Sequence, residues 1–333
     1  MAIYDCFMFN DEREILELRL RYLEDFVDFF VIAESQMNFS GESKGIYSDA
    51  IFRKVGIEPE RILRVDYIFS KEQLNALSGQ RGKYALERIA RNSLLNIIET
   101  LNDSDYVILS DVDEIPTKDQ LKIALLDSKV TSLLTPLHYG KMNWLSPDGN
   151  EWNTIKVGPA TYFKNQDLNV FKYKRFQVIR FNPGGHYSDQ FRSVDEVLAK
   201  AKNSSHSEFY KDPEFQNMIF DYAQKYRINH FGRFDRRGMG LIRHIEAVKL
   251  NEIQRLALQY EIFEFDFSPP QKTYIVRMIA SYRLTKSWST GILPHQVTEI
   301  SLRELFLALS QYIWGRLKTK KRRIIHRIGL LDK

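Results

Sequence analysis

Three short apolar runs, "IYDCFMF" at residues 3–9, "FFVIAES" at 29–35 and "YVILS" at 106–110, are separated by segments with a different period. Between the first two, Leu16, Leu20, Leu23 and Val27 recur at helical spacing after "NDERE", with Ile15, Tyr22 and Phe26 beside them. Leu86, Ala90, Leu94, Ile97 and Leu101 do the same ahead of the third run, and "RILRVDYIF" at 61–69 is a weaker strand candidate. A strand apolar along its whole length must be covered on both faces, and a helix with one apolar stripe needs a surface on which to lay it. Parallel strands with helices on both sides meet both demands, so the pattern predicts the α/β class. Ligands in that class sit beyond the carboxyl ends of the strands. Glu34 and Ser35 end one run and Ser110 to Asp113 end another, which assigns them to one cleft.

The third run leads straight into Asp111, Asp113 and Glu114, in "VILSDVDEIP". Two carboxylates one residue apart, on a turn after a buried strand, cannot all be neutralised by lysines on a helix face. They suit a hard divalent cation: Mg²⁺ or Mn²⁺ takes carboxylate oxygen and leaves its other positions to water and substrate phosphates. A solvated acidic turn is the rival reading, and the apolar run before and "EIP" after favour the metal.

From about Thr131 the texture becomes aromatic-rich, in "HYGKMNWLSPDGNEWN", "GPATYFKN" and "YKRFQVIRFNPGGHYS", which predicts mixed or antiparallel strands in the same domain. Helical spacing returns in 194–201, 242–262 and 300–317, and there is no internal repeat. The single cysteine, Cys6, permits no intrachain disulfide. No stretch reaches the roughly 18 consecutive apolar residues of a spanning helix, and "MAIYDCFMFNDE" lacks a basic then apolar leader, so a cytoplasmic protein without a signal peptide is expected. The net charge of +5 is uneven: residues 316–333 hold eight Lys or Arg against one Asp, leaving −2 for everything before them. A basic tail on such a body, with no nucleic-acid motif, argues against nucleic acid as the partner.

Six blocks, "DCFMFNDEREILELRLRYLEDFVDFFVIAES", "RNSLLNII", "VILSDVDEIP", "HYGKMNW", "GGHYS" and "SSHSEF", stand in the order expected of glycosyltransferase family 17, the β-1,4-mannosyl-glycoprotein β-1,4-N-acetylglucosaminyltransferase type. The chain resembles that family over roughly residues 3–240. The resemblance implies a glycosyltransferase A type nucleotide-sugar-binding fold, with a central, mainly parallel sheet flanked by helices. A catalytic domain is then expected at 1–240, its donor half at about 1–130 and its acceptor half at about 131–240. A helical C-terminal region at 241–315 and a basic tail at 316–333 would follow.

The activity so implied is inverting transfer from UDP-N-acetylglucosamine to a glycan or lipid-linked glycan, with Mn²⁺ or Mg²⁺. By family position Asp113 would ligate the metal. Asp111 would join it, or reach the ribose or a metal-bound water, and Glu114 would support them or cap the following turn. Glu34 would face the nucleoside, with a salt bridge at the cleft rim as the rival reading. Arg91, beside Asn92, could neutralise a phosphate bidentately. Gly184 and Gly185 would let the backbone approach a sugar, with His186 as a third metal ligand or a diphosphate donor. An inverting transferase also needs a base on the acceptor side. Glu208 holds that place by family position, with Asp189 and Asp235 behind it and His206 orienting Glu208 or touching the diphosphate. Tyr139, Trp144 and Trp152 suit either sugar stacking or core packing.

Two other classes compete. An apolar strand followed by Asp-x-Asp also opens haloacid-dehalogenase-type phosphohydrolases, but the downstream acidic pair they need is missing from the sequence. A basic-tailed nucleic-acid or lipid-binding protein is the second. Ile300, Leu305, Phe306, Leu309, Ile313 and Leu317 follow helical spacing, and Trp314 precedes the cationic run. That is the composition of a helix lying on an anionic membrane, so peripheral attachment at the inner face is expected beside the enzymatic core.

Overall fold

The computed structural model describes residues 1–37, 43–67, 69, 80–145, 152–188, 196, 213–226, 243–244, 250–260 and 280. The chain divides into two units, the first holding Met1–Asn143, Glu151–Tyr210 and Ile245–Glu264, the second Trp144–Asn150, Lys211–His244 and Phe265–Lys333.

In the first unit the expected strands form as β1 (Ile3–Met8), β2 (Phe29–Glu34), β3 (Ile62–Asp66) and β4 (Tyr106–Asp111). They pair in parallel in the order β3-β2-β1-β4, with Cys6 of β1 level with Val31 of β2 and Leu109 of β4. The sheet continues past β4 through β9 (Ile155–Pro159), β6 (Thr131–Leu133) and β10 (Gln177–Ile179). Strand β9 runs antiparallel to both of its neighbours, and β10 is parallel to β6. The seven strands are therefore mainly parallel, with the mixed region where the aromatic-rich sequence begins.

Side chains alternate across the sheet, as a pleated strand requires. Phe7, Phe30, Ile32 and Ile108 bury on one face with helix α1 (Arg13–Leu23), and Cys6, Val31, Ala33, Val107 and Leu109 bury on the other with α3 (Gln80–Ser93). The stripe at Leu86–Leu101 does not make one helix. Ser93 Oγ donates to the Ala90 carbonyl at 2.7 Å, which competes with the helical ladder. A separate turn, α4 (Leu95–Ile98), follows. Helix α2 (Ser48–Val55) was not anticipated, although Gly56, at φ 87°, marks its end.

Three short strands carry the chain back over the carboxyl end of β4. Strand β11 (Gly185–Ser188) pairs antiparallel with β5 (Glu114–Ile115) and parallel with β7 (Leu137–Tyr139). Helix α5 (Lys118–Ala124) starts at a capping box of Thr117 and Gln120, and α6 (Leu168–Phe171) at Asp167. Helix α8 (Glu252–Leu256) also belongs to this unit, burying Ile253 and Gln254.

In the second unit, α7 (Pro213–Tyr226) buries Ile219 and Ala223, and β8 (Trp144–Leu145) pairs antiparallel with β12 (Arg243–His244). Among the described residues no helix is long and apolar enough to cross a membrane. The tail at 316–333 and the stripe at 300–317 lie outside the described residues.

Candidate active site

The turn after β4 gathers charge from four separate segments. Asp111 Oδ1 accepts from Arg91 Nη2 at 2.8 Å, and Oδ2 accepts from Lys172 Nζ. Burial would raise the Asp111 pKa, but Lys172 and Arg91 hold it well below the usual carboxylate range. Both cations are fully buried. Burial opposes the charge on each, yet the facing carboxylates raise both pKa values. A single lysine, Lys172, thus serves both Asp111 and Glu114, whereas Asp113 meets a histidine, His186. Lys172 follows the four-residue helix α6, so no helical periodicity announces it.

Glu114 is wholly interior and ties the turn together. Its Oε2 accepts the Asp111 N–H at 2.9 Å and lies 3.1 Å from Lys172 Nζ. Its Oε1 accepts Trp152 Nε1–H at 2.5 Å and the Thr154 hydroxyl. The capping of α5 falls to Thr117 instead, so Glu114 acts in support of the turn.

Asp113 meets His186 across the β5–β11 pairing, which sets His186 opposite Glu114 and lets the Tyr187 N–H donate to the Asp113 carbonyl at 2.7 Å. His186 Nε2 is 3.4 Å from Asp113 Oδ2. Burial disfavours protonation of His186, but Asp113 and then Glu114 outweigh it and raise the pKa. The Trp152 ring packs against the imidazole with centroids 4.7 Å apart. Trp144 is buried in the second unit.

Gly184 and Gly185 serve a close approach, but to the chain itself. A Cβ on Gly184 would stand 2.0 Å from the Ile115 carbonyl oxygen, and one on Gly185 would strike the Tyr187 ring. Asn92 Nδ2 donates to Asp167 Oδ1 at 3.2 Å and its Oδ1 accepts the Asn169 N–H at 3.3 Å, while Arg91 Nη1 donates to Asn169 Oδ1. The Arg91–Asn92 pair thereby stitches α3 to α6 and sets Lys172 in place. Glu34 is buried at the end of β2, two strands from Asp111. It accepts the Tyr47 N–H at 2.8 Å and the Ser48 hydroxyl at 2.5 Å, with Lys44 Nζ at 3.6 Å, and so anchors the start of α2.

Of the residues expected at the site, Arg91, Asp111, Asp113, Glu114 and His186 come together. Asp189, His206, Glu208 and Asp235 lie outside the described residues. Lys172 and Thr154 are the members that the sequence reading missed.

A mainly parallel sheet flanked by helices, with an acidic turn at the carboxyl end of a central strand, is the glycosyltransferase A type of α/β fold. The chain belongs to glycosyltransferase family 17, whose family model matches residues 1–225. No curated protein matches it. The protein is a glycosyltransferase, a class that takes a nucleotide-sugar donor and a glycan acceptor.

Proposed function

We propose that the protein moves N-acetylglucosamine from UDP-N-acetylglucosamine onto a glycan hydroxyl, with inversion and with Mn²⁺ or Mg²⁺ as its metal. The observation that carries this reading is the Asp113–His186 pair beside an Asp111 carboxylate neutralised by two buried cations. Among the described residues no three His, Cys, Asp or Glu side chains form a metal cluster, and nothing bonds His186 Nδ1. A nucleotide-bound Mg²⁺ or Mn²⁺ needs only one or two carboxylate or imidazole ligands, the rest being phosphate and water. Asp113 and His186 fit that requirement. When bound, the ion would offset the charge of the departing diphosphate.

The chain's own groups do the rest. Arg91 and Lys172 keep Asp111 ionised, as an acceptor for a ribose hydroxyl or water. Trp152, part-exposed beside His186, offers an apolar face for a sugar ring. Glu34, Asn92 and Gly185 act from one layer back, through α2, α6 and β11. Glu208 is the proposed base, with Asp189 and Asp235 as alternatives and His206 as its orienting partner. Asp113→Asn should abolish turnover without unfolding the protein, and Glu208→Gln should lose turnover yet keep its affinity for UDP. Full activity in EDTA or in Asp113→Asn would sink the metal role, and weakened UDP binding in Glu208→Gln would pass the base to Asp189 or Asp235.

We further propose that residues 316–333 hold the protein at the cytoplasmic face of an anionic membrane, where a lipid-linked glycan acceptor would be confined. Each basic residue near such a surface contributes about 1 kcal/mol. Co-sedimentation with anionic liposomes should fall as salt rises and disappear when 316–333 are removed. Sedimentation unaffected by that removal rules the tail out as the anchor.

A further inference from the structure

Every main-chain carbonyl of the turn from Asp111 to Glu114 has a donor, and three of the four face one side chain. Arg19, fully buried on α1, donates from Nη1 to the carbonyls of Asp111 at 3.1 Å, Val112 at 3.3 Å and Glu114 at 2.8 Å. The fourth, that of Asp113, takes the Tyr187 N–H. The remainder of the guanidinium is fixed from behind. Its Nε and Nη2 pair with Asp5 Oδ2 and Oδ1 at 2.8 and 2.5 Å, and Nη2 also donates to Ser110 Oγ at 2.7 Å. Its Cζ lies 4.6 Å from the centroid of the Phe7 ring. Asp5 and Ser110 are fully buried as well.

A buried ion pair is a poor device for stability alone, because apolar side chains of the same volume commonly do as well or better. What a leucine at position 19 could not supply is a fixed place for three carbonyls, and so for the carboxylates carried on the same turn. Only arginine's planar fork of five donors lets one nitrogen, Nη1, serve the carbonyls while Nε and Nη2 are held by Asp5 and Ser110. We infer that Arg19 is a positioning residue of the transferase, a buried brace that fixes the Asp111–Glu114 turn in the one geometry in which Asp113 and His186 meet the donor. This rests on the reading of that turn as the donor site.

Hydrogen exchange on the protein alone, read beside kcat, KM and thermal unfolding, tests the brace in Arg19→Lys, Asp5→Asn and Ser110→Ala. Lysine keeps the charge, but a single ammonium placed at the three carbonyls cannot also pair with both Asp5 carboxylate oxygens and Ser110 Oγ, so nothing fixes it from behind. In Arg19→Lys the amides of Asp111 and Tyr187 should exchange about 10-fold faster while β1 and β2 stay protected. A misplacement of about 1 Å costs on the order of 100-fold in rate, so kcat should fall by that much while the donor KM moves far less. Ser110→Ala leaves the three carbonyl bonds in place and should keep wild-type exchange at the turn. If Arg19→Lys does not fold, Asp5→Asn loosens the same guanidinium and must show the same pairing of faster turn exchange with lower kcat. Unchanged exchange at the turn in a folded variant overturns the inference, as does protection lost evenly over the sheet. Either result leaves the donor-site reading intact wherever Asp113→Asn remains inactive. Faster turn exchange with normal turnover overturns the inference together with that reading, since the turn would then play no part in the reaction.

Discussion

The two halves of the first unit, residues 3–115 and 131–188, reach the same turn by different means. In residues 3–115, four parallel strands stand in level register, β1, β2 and β4 are buried on both faces, and Asp111 and Asp113 are where they are because β4 ends there. In residues 131–188, strands and helices of three to five residues deliver mainly charged and polar groups to that turn: Thr154, Lys172 and His186. The first half is held by burial of apolar surface, which is strong but without direction. The second buries apolar side chains as well, among them Leu133, Ile155, Val157 and Phe171, but it grips the turn through charge-assisted hydrogen bonds, which act only at fixed geometry. Damage to the apolar layers should therefore cost stability without altering the turn, whereas damage to the polar contacts that grip the turn should cost turnover as well.

The sharpest way to break this contrast is a pair of variants with matched loss of stability. Phe30→Ala empties a fully buried site in β2 and should cost about 3–5 kcal/mol. Lys172→Met leaves Asp111 and Glu114 short of a buried cation and should also cost about 3–5 kcal/mol. Urea unfolding should find the two alike. Turnover should separate them: Phe30→Ala, assayed where it is folded, keeps nearly its whole kcat, and Lys172→Met does not. Adding Glu114→Gln to Lys172→Met should recover part of the stability, since the buried charges then balance better. Equal losses of kcat in the two single variants would end the division of labour.

The same contrast governs what could be read from the sequence. Strands β1, β2 and β4 and helix α1 were legible because burial on two faces, or along one stripe, writes a period into the residues themselves. The carboxylates were legible because they directly follow a strand. Lys172 was not, since one lysine after a four-residue helix has no period, and its meaning depends on Asp111, 61 positions away in the chain. The pairing of Arg19 with Asp5 was equally hidden: an arginine inside an amphipathic helix reads as solvated until the fold places it over β1. His186 and the glycines before it were found through the family blocks, and their packing against β5 became visible only with the β11 register.

Glycine substitution gives a smaller test of the same difference. In Gly184→Ala the new methyl would meet the Ile115 backbone oxygen at 2.0 Å, so β11 and β5 must part and His186 must move from Asp113. Overpacking of this kind costs about 1–3 kcal/mol. Gly45→Ala, in the first half, would meet only the edge of the Tyr47 ring at 3.6 Å, an ordinary contact. Thermal unfolding should show a lowered midpoint for Gly184→Ala and almost none of that change for Gly45→Ala. A silent Gly184→Ala would mean that the second half tolerates slack at the turn.

The smallest expected effect is a pH slope from Lys156 on β9, a buried lysine that donates to Ser132 Oγ at 2.9 Å and to the Asn153 carbonyl at 2.6 Å. Burial pushes its pKa down to about 8, with Glu114 opposing that shift and Lys172 adding to it. In the unfolded chain a lysine titrates near pH 10.4. Between about pH 8 and 10.4 the unfolded chain therefore binds more protons than the folded one, so this group makes stability rise with pH across that window. Below it the cost of burying the ammonium is constant, and above it the cost is relieved. Asp105, in the first half, works at the other end of the scale. Burial would raise its pKa, but the Ala2 N–H and Asn102 lower it, so its contribution is present at neutral pH and lost as acid protonates the folded carboxylate. Urea unfolding of wild type and Lys156→Met at several values between pH 8 and 10 isolates the lysine. The stability of wild type relative to the variant should climb by on the order of 1 kcal/mol over that range. A difference that stays level would mean that Lys156 keeps its ordinary pKa in the fold, and would leave Lys172 and His186 as the charges that set the second half apart.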